Sequence, residues 1–378
     1  MRVAVDAAGA GSFRCIVEGA LRAAREEGHE VLLFGPEEAL RGELRLLGAD
    51  GDGATDRGIT RGSVTEPLCE EMPLPDAVGK RPASEALGAA SGISVHDAPN
   101  VVSADEDPSA ACREKPDASV MRAAESVADK RADALVSVAE PAVVVAASLW
   151  HMKRVRGVLK PALACPLPSR GGSSLLVDAG ACIECKPWHL LQFALMGAVY
   201  AHRAGGIARP SVRMLVAGTV EGGGGELVRE ALPLLKYSGI DFRGTMRADE
   251  IPTGAADVIV TDGATGDIIV RLMRGLSDAY SEMLKSEIGS GLAARMGGTL
   301  ARGALRRVET AQGAIGAGGE PLLGVGGPAV LCRDPGGHEA VASAIRTAAR
   351  LAGSDVHERL QERLDDIKSS MEFARTIE

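Results

Sequence analysis

Between residues 178 and 197 the chain reads DAGACIECKPWHLLQFALMG, which places two cysteines, a lysine, a histidine and a glutamine just after an aspartate. Three chemistries compete for this stretch. A structural zinc site needs four ligands, and His189 follows Cys185 too closely to complete one by spacing alone. A redox pair favours Cys-x-x-Cys at a helix N-terminus, and Pro187 suits the first position of a helix. The simplest reading makes Cys182 and Cys185 small residues in a tight turn. Lys186 and His189 then stand at the first turn of the helix, where free N–H groups and positive potential attract phosphate or carboxylate. The same two residues also fit a surface lysine and a packed histidine.

Two glycine-rich stretches have similar settings. GTVEGGGGEL (218–227) and TDGATG (261–266) each follow a strand-like run and lead into a helix. Both offer backbone N–H groups to an anion, although neither is a Walker or GxGxxG motif. Loops of this kind after parallel strands collect along the carboxyl edge of one sheet, where open α/β folds bind ligands. No GxSxG or HExxH motif occurs. Cys332, in AVLCRDPGGH, is a nucleophile if its neighbours lower its pKa, and otherwise a packed small residue.

These residues need a frame. RVAVDA, VLLFG, SVHDAPNVV, ALVSVA, SLLVDAG, VRMLVAGT and ADVIVTDG read as strands, and segments of helical spacing alternate with them. The opening strand, helix and strand predict a parallel, doubly wound sheet. Residues 51–92 are rich in Gly, Pro, Ser and charge and read as a surface insertion. A helical stretch from about Ile268 to Thr310, broken by glycines, suggests a helical hairpin. Aromatics are only 3% while hydrophobics are 46%, so the core must be aliphatic, as suits a layered α/β protein. A net charge of −9 argues against nucleic acid as a partner. No run reaches the roughly 18 apolar residues of a membrane span. The absence of a signal-like N-terminus and an odd cysteine count without regular spacing suggest a cytoplasmic protein with free thiols.

Taken together, MRVAVDA, RADALVS, KPALACPLP, DAGACIECKPWHLLQFALMGAVYA, ADVIVTDGATGDI and GGEPLLGVGGP resemble the PlsX family of acyl-carrier-protein:phosphate acyltransferases. The resemblance implies one three-layer α/β/α Rossmann-like domain over 1–378, similar to isocitrate and isopropylmalate dehydrogenases. It implies a homodimer, and a protruding hairpin at 277–310 that touches the membrane surface through Ile288, Leu292, Ala293, Met296 and Leu300. The implied reaction is attack of inorganic phosphate on an acyl thioester of acyl carrier protein, with no metal or other cofactor, in phospholipid synthesis. Matching positions are Asp6, Arg113, Lys115, Ser137, Gly180, Lys186, His189, Gln192, Gly218, Thr219, Asp262, Gly263 and Gly266, with Arg271 in place of a lysine. On this reading Lys186, His189 and Arg113 hold phosphate, while Ser137 and the 262–266 turn orient the thioester.

The departures fall in loops. The family's AMGGD loses its aspartate across 7–11, and SAGNTGA becomes SVAEPAV at 137–143. Asparagines become Cys182 and Asp267, a lysine and an asparagine are lost near 218–226, and KxHG becomes 331–334 LCRD. Asp267 and Glu140 add negative charge near an expected anion, and Pro141 removes an N–H. Two further readings therefore stand beside the acyltransferase. In one, Cys332 or Cys182 carries an acetyl group, as in the acetyl-phosphate-forming subunit of glycine, sarcosine and betaine reductases. In the other, catalysis has lapsed and the chain is a binding partner.

Overall fold

In the computed structural model the described residues are 1–9, 11–49, 92–103, 105–218, 225–289, 315, 318–333 and 335–377. The 51–91 part of the expected insertion, Thr219, and residues 290–310 of the expected hairpin lie outside them. The elements run β1 (Arg2–Asp6), α1 (Phe13–Glu27), β2 (Glu30–Gly35), α2 (Glu37–Leu46), β3 (Ile93–Asp97), α3 (Pro108–Glu114), α4 (Ser119–Ala128), β4 (Ala134–Ser137) and α5 (Pro141–His151). Next come β5 (Ala162–Ser169), β6 (Gly172–Val177), α6 (Pro187–Arg203), β7 (Ser211–Leu215), α7 (Glu226–Lys236), β8 (Asp241–Met246), a 3-10 turn (Ala248–Thr253) and β9 (Val258–Val260). The chain closes with α8 (Gly263–Gly289), β10 (Glu320–Leu323), β11 (Ala329–Leu331), α9 (His338–Ala352) and α10 (Val356–Ile377).

The strands form one sheet of 11 in the order β3-β2-β1-β4-β11-β10-β5-β6-β9-β7-β8. Short aliphatic strands such as VIV of β9 are buried on both faces, which requires a helical layer on each side. One apolar cluster joins α1, α2, α6, α7, α9 and α10 to one face. A second joins α3, α4, α5 and the start of α8 to the other. The result is the expected three-layer α/β/α architecture.

The sheet is mixed, and this corrects the all-parallel expectation. β1 to β4 and β11 run parallel. β10 is antiparallel to both neighbours, and so is β5. β6, β9, β7 and β8 are again parallel among themselves, but they run opposite to β1 and β4. The strand reading did not include ALACPLPS, whose prolines cannot donate to a ladder. β5 tolerates Pro166 and Pro168 because β10 pairs only with its first residues, Ala162 and Leu163. Beyond them, among the described residues, β6 supplies the ladder partner.

Candidate active site

Helix α6 is built to hold a fixed N-terminus. Leu190, Leu191, Phe193, Ala194, Leu195 and Met196 are consecutive or nearly so and all buried, so both sides of the helix are packed. Pro187 occupies its first position and Lys186 is the extended N-cap. The Lys186 N–H donates to Nδ1 of His189 at 3.1 Å. That bond occupies the Nδ1 lone pair, so the neutral ring carries its proton on Nε2. Burial, with Lys160 and Lys186 nearby, holds the His189 pKa below its ordinary value. His189 is therefore a neutral ring at pH 7, with an Nε2–H to offer. Fewer backbone N–H groups are free here than the sequence suggested. Pro187 has none, and His189 and Leu190 donate to the Lys186 carbonyl, which leaves Trp188 as the early position without an intrahelical acceptor.

The preceding loop is gathered around one carboxylate. Asp178 is fully buried. Its Oδ1 accepts the N–H groups of Leu163, Gly180 and Ala181 at 2.8, 3.2 and 3.0 Å. Its Oδ2 accepts that of Cys182 at 2.7 Å. Burial raises its pKa to about 6 against the pull of those four donors, so it is a carboxylate at neutral pH. Gln192 ties in the other flank, donating to the Gly157 carbonyl and accepting from the Leu159 N–H, both at 2.8 Å. Those bonds fix the turn that precedes Lys160, a cation the sequence reading missed although KPALACPLP begins with it.

The 261–266 turn does something different from cradling an anion. The Asp262 carboxylate caps α8, accepting from the Thr265 N–H at 2.9 Å and its hydroxyl at 2.7 Å. A Cβ on Gly266 would lie 1.8 Å from the Asp178 carbonyl oxygen, and one on Gly263 would lie 2.5 Å from that of Cys182. These glycines let the start of α8 press against the 178–182 backbone, so they shape the loop rather than line a ligand site. Gly218 lies in an exposed turn after β7.

A second buried carboxylate stands at the end of β1. Asp6 is fully buried and accepts the Ser119 and Ser137 hydroxyls, each at 2.6 Å, and the Ala8 N–H at 3.3 Å. Burial raises its pKa while those hydrogen bonds oppose the rise. Ser137 is itself fully buried and its one proton goes to Asp6. This corrects the expectation that it faces a thioester: it supports Asp6. Lys115 is likewise committed, to Glu106 at 2.7 Å and to the Val101 carbonyl at 3.1 Å. Arg113 is exposed on α3, a helix that packs on α5.

Residues 332–333 join the two carboxylate clusters. The Cys332 N–H donates to the Ser137 carbonyl at 2.8 Å. Arg333 donates to the Ala179 carbonyl at 2.7 Å, to Asp267 at 2.7 Å and to Glu320 at 2.8 Å. Glu320 is fully buried and also accepts from Arg274 at 3.0 Å. Asp267 accepts from Arg271 at 2.7 Å as well. The added charge of Asp267 is thus balanced by two arginines, which corrects the expectation that it repels an anion. Arg271 is spent in the same pair. Glu140 is exposed, and Pro141 sits at the first position of α5, where an N–H has no intrahelical partner in any case. Arg333 went unread because its partners lie far off in sequence.

Cys332 is 2% exposed and Cys182 5%, so neither thiol faces an open surface. The Sγ atoms of Cys182 and Cys185 are 3.5 Å apart. With a His189 ring nitrogen they form a group within 4.8 Å, closer than their spacing had suggested. A metal fits it poorly. Three ligands are present, Nδ1 of His189 already accepts a hydrogen bond, and Nε2 carries the proton.

The class of fold is shared with solved phosphotransacetylases. That of Streptococcus pyogenes aligns with a TM-score of 0.56 at 15% identity, over 93% of this chain and 94% of that one. The EutD phosphotransacetylase of Staphylococcus aureus aligns at 0.51 and 15%, with the same coverage. Within that class the sequence is more specific. The family model described as "Fatty acid synthesis protein" matches residues 81–359. A relative from Elusimicrobium minutum named phosphate acyltransferase is 37% identical over 373 residues, 98% of each chain. One of the same name from Trichlorobacter lovleyi is 33% identical over 377 residues, 100% of this chain and 98% of that one. The chain belongs to this family, as its resemblance to PlsX implied.

Proposed function

We propose that the chain transfers an acyl group from a thioester to inorganic phosphate. A phosphate oxygen attacks the thioester carbonyl, the C–S bond breaks, and acyl phosphate and a free thiol result. The observation that carries this reading is the N-terminus of α6, where a neutral, N–H-donating His189 lies within the field of Lys186 and Lys160. Two cations and a helix dipole suit a phosphate. A fixed N–H donor suits the oxyanion formed as the carbonyl is attacked. The names of the relatives support the same chemistry. Acyl carrier protein as donor, phospholipid synthesis as destination and a cytoplasmic site follow from the family resemblance. Among the described residues no helix is long and apolar enough to cross a membrane.

A homodimer is part of this proposal. Ile268, Leu272, Leu276, Tyr280 and Leu284 recur every fourth residue along α8 and are 42–66% exposed. Such a stripe suits a second subunit or, with the hairpin expected from the resemblance, a membrane surface. No observation favours the acetyl-cysteine reading, since Cys332 and Cys182 are both buried. Asp267, being charge-paired, no longer argues for the lapsed-enzyme reading, which rests on the other lost loop residues.

Single-turnover phosphorolysis tests the proposal. Palmitoyl-loaded carrier protein, with acetyl- and acyl-CoA in parallel, is mixed with the protein and phosphate, and acyl phosphate is trapped with hydroxylamine. Phosphate-dependent hydroxamate is expected, reduced at least ~10-fold in Lys186→Ala, as for removal of a charge that stabilises the reacting anion. No product from any donor would overturn it.

A further inference from the structure

We infer that Cys182 and Cys185 are an oxidation site, a dithiol whose disulfide displaces the loop between Asp178 and α6. The geometry is already close to that of a bond. The Cys185 thiol lies 3.5 Å from Cys182 Sγ and 3.3 Å from the Cys182 carbonyl oxygen. A disulfide needs about 2.05 Å between sulfurs, so closing it asks for about 1.5 Å of movement. Ile183 and Glu184, between the two cysteines, are exposed, Ile183 by 73%. Cys185 itself is only half-buried, so a molecule as small as peroxide approaches the pair from its side, although Cys182 is too buried for an acyl donor. The loop lies at the start of a helix, where a thiolate is favoured.

The oxidant proposed is hydrogen peroxide. The Cys182 thiolate attacks one peroxide oxygen, the O–O bond breaks, and hydroxide leaves and takes a proton to become water. Cys182 is then a sulfenic acid. Cys185 gives up its thiol proton and attacks the Cys182 sulfur. The S–S bond forms, the S–O bond breaks, and the hydroxide leaves as a second water. Two thiols are oxidised and one peroxide is reduced.

Movement there is felt on both sides. The Cys182 N–H is one of the donors to Asp178, at 2.7 Å. The Cys182 carbonyl accepts the Gly263 N–H at 3.0 Å, which ties it to the start of α8. Cys185 immediately precedes Lys186, the N-cap of α6. A shift of about 1 Å in a group that aligns reactants costs on the order of 100-fold in rate. This consequence for rate rests on the acyltransferase reading, whereas the disulfide itself does not.

The full-length protein is reduced, exchanged into buffer, treated with a small excess of hydrogen peroxide, alkylated and mapped by peptide mass. A disulfide between 182 and 185 is expected, reversed by dithiothreitol and absent in Cys182→Ser and Cys185→Ser. The ratio of oxidised to reduced phosphorolysis rate should fall 10- to 100-fold in the wild type and stay near one in both variants. Alkylation of both thiols after peroxide would overturn the inference. So would stoichiometric zinc in the purified protein that shields them until it is chelated. A disulfide that leaves the rate ratio at one would overturn the coupling to the loop. If the reduced protein shows no phosphorolysis, the acyltransferase reading fails while the peptide map still decides the pair.

Discussion

At the scale of single residues, two buried carboxylates organise the candidate site by accepting hydrogen bonds. Asp6 takes two hydroxyls and an N–H, and Asp178 takes four N–H groups. Asp178 carries a pH dependence. Its pKa is raised from 3.8 to about 6 in the fold. Between those values the folded chain binds a proton that the unfolded chain does not, so this group favours folding as pH falls and loses that contribution as pH rises through about 6. Protonation also converts one acceptor oxygen into a donor facing N–H groups. Phosphorolysis is therefore expected to decline as pH drops through 6, ahead of any unfolding. Rates and thermal melts in the same buffers from pH 5 to 8 check this. A melt that falls together with the rate would point to other groups. His189 adds no acid limb above its ordinary value, because burial and two lysines hold it neutral.

At the scale of elements, α8 meets the 178–182 loop without a spacer. Its first turn has glycine at 263 and 266 because backbone from the loop occupies the space of a side chain. Gly266→Ala is expected to destabilise the fold by about 1–3 kcal/mol through overpacking, and to lower activity as the loop shifts. Urea unfolding followed by circular dichroism measures the first effect. Gly275, farther along the same helix, has open space where a Cβ would go. Gly275→Ala should therefore be neutral or slightly stabilising, by up to about 1 kcal/mol, and serves as the control.

At the scale of the molecule, Arg333 adds a side-chain tie between the two halves of a continuous sheet. It reaches from the end of β11 to the loop after β6 and to α8. Arg333→Ala leaves the fully buried Glu320 with Arg274 as its remaining arginine among the described residues. A loss of about 3–5 kcal/mol is expected, as for other broken buried pairs. Arg333→Leu combined with Glu320→Leu should recover only part of it, because the fully buried Glu320 charge is gone while Arg274 loses its carboxylate partner. Denaturant midpoints of the two variants decide the matter. The α8 stripe makes a separate prediction. If it covers a second subunit, Leu276→Arg should shift the protein from dimer to monomer in sedimentation velocity, and an unchanged sedimentation coefficient would remove α8 from the interface.

The sequence by itself determined the layered α/β fold, because aliphatic runs alternating with helical periods can bury their faces in few other ways. It also determined the start of α6, where Pro187, Lys186 and His189 are neighbours in the chain and their chemistry is local. What only the tertiary structure decided depends on partners distant in sequence. The antiparallel course of β5 and β10 follows from pairing, and prolines conceal it locally. Ser137 became a support for Asp6 across 131 positions. Asp267 was balanced by Arg333 across 66. A charge or a hydroxyl read along the chain shows what it can bind. Whether it is still free to bind depends on what folding sets beside it, because a buried polar group without a partner is too costly to persist.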